Sequence, residues 1–339
     1  MKATYRVLTP QDLDNGEITS QTFALEVLTG LSENPKRLQS KYFYDDEGSR
    51  LFQQIMALPE YYLTRCERDI LTQRQQDIAG HIAAQPFLLV ELGAGDGQKT
   101  RILIDHFLHR RLSFTYVPVD ISEGAMQTLT TTLSREFPQL DADGVVAEYF
   151  DGLKWLSAQT DHRKLVLFLG SNIGNFNRPQ AKHFLRSLWN SLNDGDIVLI
   201  GFDLKKDIDL MLKAYNDSRG ITAAFNFNLL KRINRELGGD FDIGKFRFYA
   251  SYDVFSGAIE SYLVSLEAQT VPIKSIGQSF RFKPWEPIHM EYSYKFLPSD
   301  IEELAQETGY TILQHLTDPQ GYFSDSVPDT FFDKESSKR

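Results

Sequence analysis

The stretch that decides the fold is LLVELGAGDGQKT, Leu88 to Thr100. With Phe87 before it, the run Leu88-Leu89-Val90 is what a strand buried on both faces needs. Glu91 follows, then Gly93, Gly95 and Gly97 at alternate positions, then a run that predicts a helix from about Lys99. Strand, glycine turn and helix let backbone approach a nucleotide-like ligand, because no Cβ stands in the way. The next apolar run, Phe114 to Val119, ends in Asp120. An acid at the tip of the second strand is placed to grip a ribose diol.

Outward from this stretch, strand and helix alternate. Helices are predicted over 98–109 and about 122–136, and strands over 145–150, 164–169 and 197–202, the last ending in Asp203. Asn177-Arg178-Pro179 opens a helix over 179–192, and Asn193-Asp194-Gly195-Asp196 is its exit turn. Such alternation implies a doubly wound parallel sheet with its ligand outside the carboxyl ends of the strands. Ahead of it lie two aromatic-rich turns, Lys41 to Ser49 and Glu60 to Arg65, around a helix marked by Leu51, Phe52, Ile55 and Met56. They read either as packing on the sheet or as a lid that turns tyrosine hydroxyls to a ligand.

The alternation breaks near residue 205. Two helices are predicted over 207–214 and 222–236, then strands over 246–256, 259–268 and 279–283 with Ser256-Gly257 as a hairpin turn. Ile288 to Phe296 alternates in period two, a helix over 299–308 follows, and Gly309 to Leu313 reads as a final strand. Turn signals at Pro10 and Asn15-Gly16 and the charged tail DKESSKR frame the chain.

The 339 residues suggest two domains at roughly 100–200 residues each. A net charge of −10 argues against nucleic acid or an anionic membrane and suits a small, zwitterionic ligand. The single cysteine, Cys66, excludes an intrachain disulfide and fits a reducing cytoplasm. The first twenty residues lack the apolar core of a signal peptide, and no window is apolar for long enough to span a membrane. The seven histidines have no metal-ligand spacing, so no metal is expected.

The glycine loop fits two ligand classes, a nicotinamide or flavin dinucleotide and S-adenosylmethionine. Gly93-x-Gly95-x-Gly97 misplaces the third glycine for a dinucleotide turn, and Glu91 before the first glycine suits the second class. The spacing therefore favours S-adenosylmethionine.

Longer motifs go further. They are Tyr42-Phe43-Tyr44-Asp45 through Gly48-Ser49, Leu58-Pro59-Glu60-Tyr61-Tyr62-x-Thr64-Arg65, Val90-Glu91-Leu92-Gly93, Lys99-Thr100 and Phe168-Leu169-Gly170-Ser171-x-Ile173-Gly174-Asn175. They continue with Thr222-Ala223-x-Phe225-Asn226, Asn234-Arg235-Glu236-Leu237, Asp240-Phe241-Asp242 and Glu291-x-Ser293-x-Lys295-Phe296. In order and spacing, over roughly residues 35–325, the chain resembles the L-histidine Nα-methyltransferases of ergothioneine biosynthesis.

The resemblance implies an α/β, doubly wound, Rossmann-like class I S-adenosylmethionine-dependent methyltransferase fold with a second, α+β substrate-binding domain. It divides the chain into an N-terminal helical part of the substrate domain (1–62), a methyltransferase core (63–204), an insertion into the substrate domain (205–285) and a return to the sheet (286–339). It assigns the cofactor to Tyr44, Glu91, Gly93, Gly95 and Lys99, with Asp120 on the ribose and the loop at Tyr149-Phe150 beside the adenine. It assigns the substrate's carboxylate and amine to Tyr61, Gly170, Asn175 and Tyr215, with Tyr61 and Asn175 as the catalytic pair, and its imidazole to Glu291 and Ser293.

One position departs from the family. Where its histidine enzymes read Ile-Glu-Met, with the methionine lining the side-chain pocket, this chain reads Ile259-Glu260-Ser261, which puts a smaller and more polar side chain there. Losing an apolar wall is worth roughly 1–3 kcal/mol of discrimination. Glu291 and Ser293 still favour a ring with N–H groups, since a hydrocarbon ring would leave a carboxylate unpaired. The expected activity is methylation of the α-amino group of free histidine, up to the trimethylated product, by a cytoplasmic monomer whose partner is a small amino acid. The alternatives are the same chemistry on another amino acid or aromatic amine, and a cofactor-binding module without turnover.

Overall fold

The structure is a computed structural model and describes residues 3–9, 20–82, 85–159, 162–193 and 195–329. The turn signals at Pro10 and Asn15-Gly16 and the charged tail lie outside the described residues. In chain order the elements begin with β1 (Thr4–Val7), α1 (Ser20–Ser32), β2 (Lys36–Arg37), α2 (Asp46–Met56), α3 (Tyr62–Ile82), β3 (Phe87–Leu92), α4 (Thr100–His109), β4 (Phe114–Asp120) and α5 (Glu123–Glu136). There follow β5 (Asp141–Val146), α6 (Tyr149–Gln159), β6 (Arg163–Phe168), α7 (Arg178–Asn190), β7 (Ile197–Asp203), α8 (Ile208–Tyr215) and α9 (Ile221–Leu237). The last are β8 (Phe246–Asp253), β9 (Ala258–Ser265), β10 (Gln269–Ile273), β11 (Gln278–Phe282), β12 (Pro287–Tyr294), α10 (Pro298–Thr308), β13 (Thr311–Thr317) and β14 (Phe323–Asp329). They form two compact units, one of Met1–Asp14, Leu63–Lys205 and Lys295–Arg339, the other of Asn15–Tyr62 and Lys206–Tyr294.

The first unit is built on an eight-stranded sheet of order β1-β5-β4-β3-β6-β7-β14-β13. From β1 to β7 neighbours run parallel, and β14 and β13 are antiparallel. Every residue of β3 and of β7 is buried, because helices cover both faces of a parallel sheet. From β3 the chain winds outward through β4 to β5, then returns to β6 on the other side of β3. That reversal opens a crevice at the carboxyl end of β3, where the glycine loop sits. Asn177 opens α7 as expected, with a capping box to Gln180 and Pro179 in the first turn.

Three expectations are corrected here. The strand placed over 145–150 is β5, which ends at Val146, and Tyr149-Phe150 begin α6 rather than a loop. Asp141, Asp143 and Gly144 hide the start of that strand, and the apolar run straddles its end and the next helix. Residues 4–7 belong to the main sheet instead of a helical part of the substrate domain; an edge strand with mostly exposed side chains carries no apolar signal. At the other terminus, the strand expected to be final is β13, and a further strand, β14, follows it in the chain and lies between it and β7 in the sheet. Ser324, Asp325 and Ser326 are all buried in β14, so polar composition masks an interior strand.

In the second unit a four-stranded sheet, order β2-β12-β9-β8, packs against α8 and α9, with β10 and β11 as a separate hairpin. The buried side of α9 is formed by Phe225, Leu229, Leu230, Ile233 and Leu237 at helical spacing. Residues 287–294 do not return to the main sheet: β12 pairs with β9 and β2, and the return comes at Lys295.

Candidate active site

Within the first unit, Gly93, Gly95 and Gly97 all stand at positive φ (+77°, +55° and +65°), so the loop needs glycine at each. A Cβ on Gly97 would lie 2.6 Å from Leu129, whereas one on Gly95 would meet nothing within 4 Å. The carboxylate of Asp120 at the tip of β4 accepts the N–H of Gly95 (2.8 Å) and of Ser122 (2.9 Å). Burial raises its pKa, and the backbone donors partly offset this. Tyr149 reaches the loop from α6: its hydroxyl would be 3.1 Å from a Cβ on Gly93. Phe150 instead packs on Phe184, 5.0 Å between ring centroids.

Glu91 lies beneath the loop, buried, and accepts the Tyr116 hydroxyl. Burial pushes its carboxyl up to about 7, against the lowering effect of Thr100 and Tyr116. Lys99 precedes α4, and its ammonium is 2.5 Å from Glu67 Oε2. Glu67 Oε1 accepts the Gly170 N–H at 2.7 Å.

The segment after β6 turns sharply at Gly170 (φ +79°) and Ser171 (φ +58°) into a 3-10 turn, Asn172–Asn175. The Ser171 hydroxyl accepts the N–H of Asp203, and Asp203 pairs with Lys295 at 2.8 Å, both fully buried. Asn172, which sequence reasoning passed over, has its side-chain amide 3.4 Å from the Cβ position of Gly93 and its oxygen 3.8 Å from that of Gly170.

The second unit gathers the other predicted residues. Tyr61 meets Tyr215 edge-on (6.1 Å), and the Tyr215 hydroxyl shares a 2.7 Å hydrogen bond with Ser293 Oγ. Ser218 donates to Glu60 at 2.9 Å, tying the loop after Tyr215 to the one before Tyr61. Tyr44, expected beside the cofactor, contacts Phe52 and Phe225 edge-on (both 5.5 Å).

On the sheet, Glu291 stands opposite Ser261, and Ser293 opposite Ile259. The register shifts between His289 and Glu291, so the period-two reading of 288–296 is interrupted by a bulge at Met290. That extra residue puts Glu291 and Ser293 on the same face as Ile288, which pairs with Leu263; unbroken alternation would put them on opposite faces. His289, Glu260 and Tyr262 occupy the other face, where Tyr262 donates to Glu260.

A parallel sheet with a glycine turn at its switch point and an acid closing the second strand defines the class: a nucleotide-cofactor enzyme of the Rossmann-like kind. The room above Gly95 and the Asp120 carboxylate fit an adenosyl group, and the Lys99 ammonium fits an acidic one. Comparison with known proteins narrows the class. A family model described as "Histidine-specific methyltransferase, SAM-dependent" matches residues 23–329, and the chain belongs to that family. A histidine N-alpha-methyltransferase of Mycolicibacterium smegmatis is 38% identical over 304 residues, covering 89% of this chain and 93% of its own. One of Mycobacterium tuberculosis is 36% identical over 302 residues, with 89% and 93% covered. Ergothioneine biosynthesis protein 1 of Schizosaccharomyces pombe is 31% identical over 303 residues, covering 86% of this chain and 39% of its own. The chain is an S-adenosylmethionine-dependent methyltransferase.

Proposed function

We propose that this methyltransferase acts on the α-amino group of free L-histidine and carries it to the trimethylated product, hercynine. The observation that carries the substrate reading is the shared sheet face on which Ser261 opposes Glu291 and Ser293 is joined to Tyr215. The two relatives named as histidine N-alpha-methyltransferases, each covered over nine-tenths of its length, support it. In this reading the first unit holds the cofactor and the second the amino acid, by a cytoplasmic, monomeric enzyme.

The bound cofactor supplies an electrophilic methyl group on a sulfonium. Gly93, Gly95, Asp120, Tyr149 and Lys99 would hold it, with Glu91 beneath the loop, and Tyr44 and Phe150 complete the assignment. Tyr61 and Asn175 would orient the amine so that its lone pair points in line at that methyl group. Alignment of this kind contributes several kcal/mol, up to about 7–11. Tyr215 and Gly170 hold the carboxylate. The ammonium's proton goes to water before attack, since the sequence offers no obvious histidine base. His289 lies on the sheet face away from Ser261, and burial, then the Arg37 charge, hold its imidazole neutral, down at about 4.

Glu291 accepts an imidazole N–H, and Ser261 beside it adds a hydroxyl where the family carries an apolar wall. Mass spectrometry of an amino-acid mixture incubated with the protein and S-adenosylmethionine tests the reading. Histidine should appear with one, two and then three methyl groups. Methylation of another amino acid with histidine untouched would defeat the substrate assignment.

A further inference from the structure

We propose that Glu67 is a positioning residue of the cofactor site: one carboxylate oxygen fixes the Lys99 ammonium, and the other pins the Gly170 turn. This rests on the reading of Lys99 as a cofactor-binding group. Glu67 lies on α3 among Leu63, Cys66, Ile70 and Leu71, all buried, as Glu67 itself is. Its Oε2 is 2.5 Å from Lys99 Nζ and its Oε1 is 2.7 Å from the Gly170 nitrogen.

Two glycines leave room for the arrangement. A Cβ on Gly201 would stand 2.5 Å from Glu67 Oε1, and one on Gly170 would stand 3.1 Å from Lys99 Nζ. A buried ion pair contributes little to stability that apolar packing could not match. Its worth lies in presenting a cation that need not reorganise when an anionic group arrives. The group such a cation takes is a carboxylate, such as that of the cofactor's amino-acid portion.

The charged and titratable groups around Lys99 come from three elements: Glu67 on α3, Glu91 on β3 and Asp325 on β14. Asp325 pairs in register with Gly201, is fully buried, and faces Glu67 as a charged and hydrogen-bonding neighbour. Burial, then the Glu67 charge, raise its carboxyl well above the ordinary range. Among these groups Glu67, through its charge and its hydrogen bond, acts most strongly to keep Lys99 charged against the opposing effect of burial, ahead of Glu91 and Asp325.

The test is calorimetric titration of S-adenosylhomocysteine from pH 7 to pH 10 into the whole chain, unaltered and as Glu67→Gln, Glu67→Asp and Lys99→Met. Lys99 has its pKa raised, so the parent protein keeps the cation across this range. Gln removes the largest of the charges that oppose burial and offers one oxygen to two donors. The cation is then lost as pH rises, and affinity relative to the parent falls about tenfold per pH unit above the lowered pKa. Asp keeps the charge but cannot span both donors, so affinity falls uniformly and the profile stays parallel to the parent's.

A Glu67→Gln profile parallel to the parent's overturns the proposal. If Glu67→Gln does not fold by circular dichroism, Glu67→Asp decides, and parental affinity in it overturns the proposal. Unchanged affinity in Lys99→Met defeats the reading of Lys99, and the proposal with it. Weakened Lys99→Met beside a parent-like Glu67→Gln defeats the Glu67 role alone.

Discussion

Glu291 shows what one residue contributes and how much of it the sequence could reveal. Its spacing from Ser293 already places both on one face of a strand; the residue opposite it, Ser261, becomes known only through the ladder. A charged acceptor for a ring N–H is worth about 1.5–3 kcal/mol, so Glu291→Ala should weaken histidine binding by roughly 10- to 100-fold. Affinity for S-adenosylhomocysteine should change by less than about twofold, within the range of surface substitutions. Titration of each ligand in the presence of the other reads both numbers, and equal losses would remove the imidazole role. A companion substitution, Tyr215→Phe, deletes the hydrogen bond to Ser293 at a cost of about 1 kcal/mol, or some fivefold in histidine affinity. Glu67 was harder to find, since a glutamate on a long helix reads as a solvated charge. The signal was its register: it falls on the apolar stripe of Leu63, Ile70 and Leu71, where a charge requires a partner.

At the scale of elements, those with strong periodicity were legible and those with weak apolar signal were not. The buried run of β3 and the glycine turn locate the crevice without coordinates, and Asn177-Arg178-Pro179 marks the start of α7. By contrast β1, β14 and the first half of β5 carry charges, serines or glycine, and only their partners make them strands. The bulge in β12 belongs to the same group, because a register shift arises from pairing and leaves no mark in alternation. The start of α9 shows how such local chemistry supports the site. Asp217 accepts the N–H groups of Arg219, Ile221 and Thr222, capping the helix two residues after Tyr215. Asp217→Ala should cost about 1 kcal/mol, and up to 2, in urea denaturation. It should also raise the KM for histidine through Tyr215, leaving the cofactor KM unchanged; an unaltered histidine KM would show that the cap serves stability alone.

For the whole molecule, apart from Glu307, which Lys182 and Arg178 hold low in the first unit, the carboxyls with shifted pKa values divide between the two units in opposite directions. In the first unit burial raises Glu91 (to about 7), Asp120, Asp151 and Asp325. In the second, burial is outweighed at three partly buried acids. Asp45 is held down by the Gly48 N–H, Arg235 and Asn228; Asp217 by the N–H groups of Thr222 and Ile221; and Glu286 by Lys36 and the Lys283 N–H. A raised carboxyl stabilises fully below its unfolded pKa, and that contribution is lost as pH rises through the folded value. A depressed one stabilises above its unfolded pKa, and that contribution is lost as pH falls through the folded value. Lowering the pH from 7 to 3 should therefore strengthen Leu63–Lys205 while weakening Asn15–Tyr62 and Lys206–Tyr294. Hydrogen-exchange protection factors at the two pH values test this: protection should drop first in 20–62 and 206–294, and an earlier drop in 63–193 would contradict it. Glu91→Gln isolates the opposing limb. Between pH 5 and 8 the parent should lose up to about 3 kcal/mol that the variant does not, since a shift from 4.5 to about 7 sets that ceiling. Identical slopes in urea denaturation of the two proteins would mean that Glu91 is ionised beneath the glycine loop, and that Tyr116 and Thr100 hold it there as an anion.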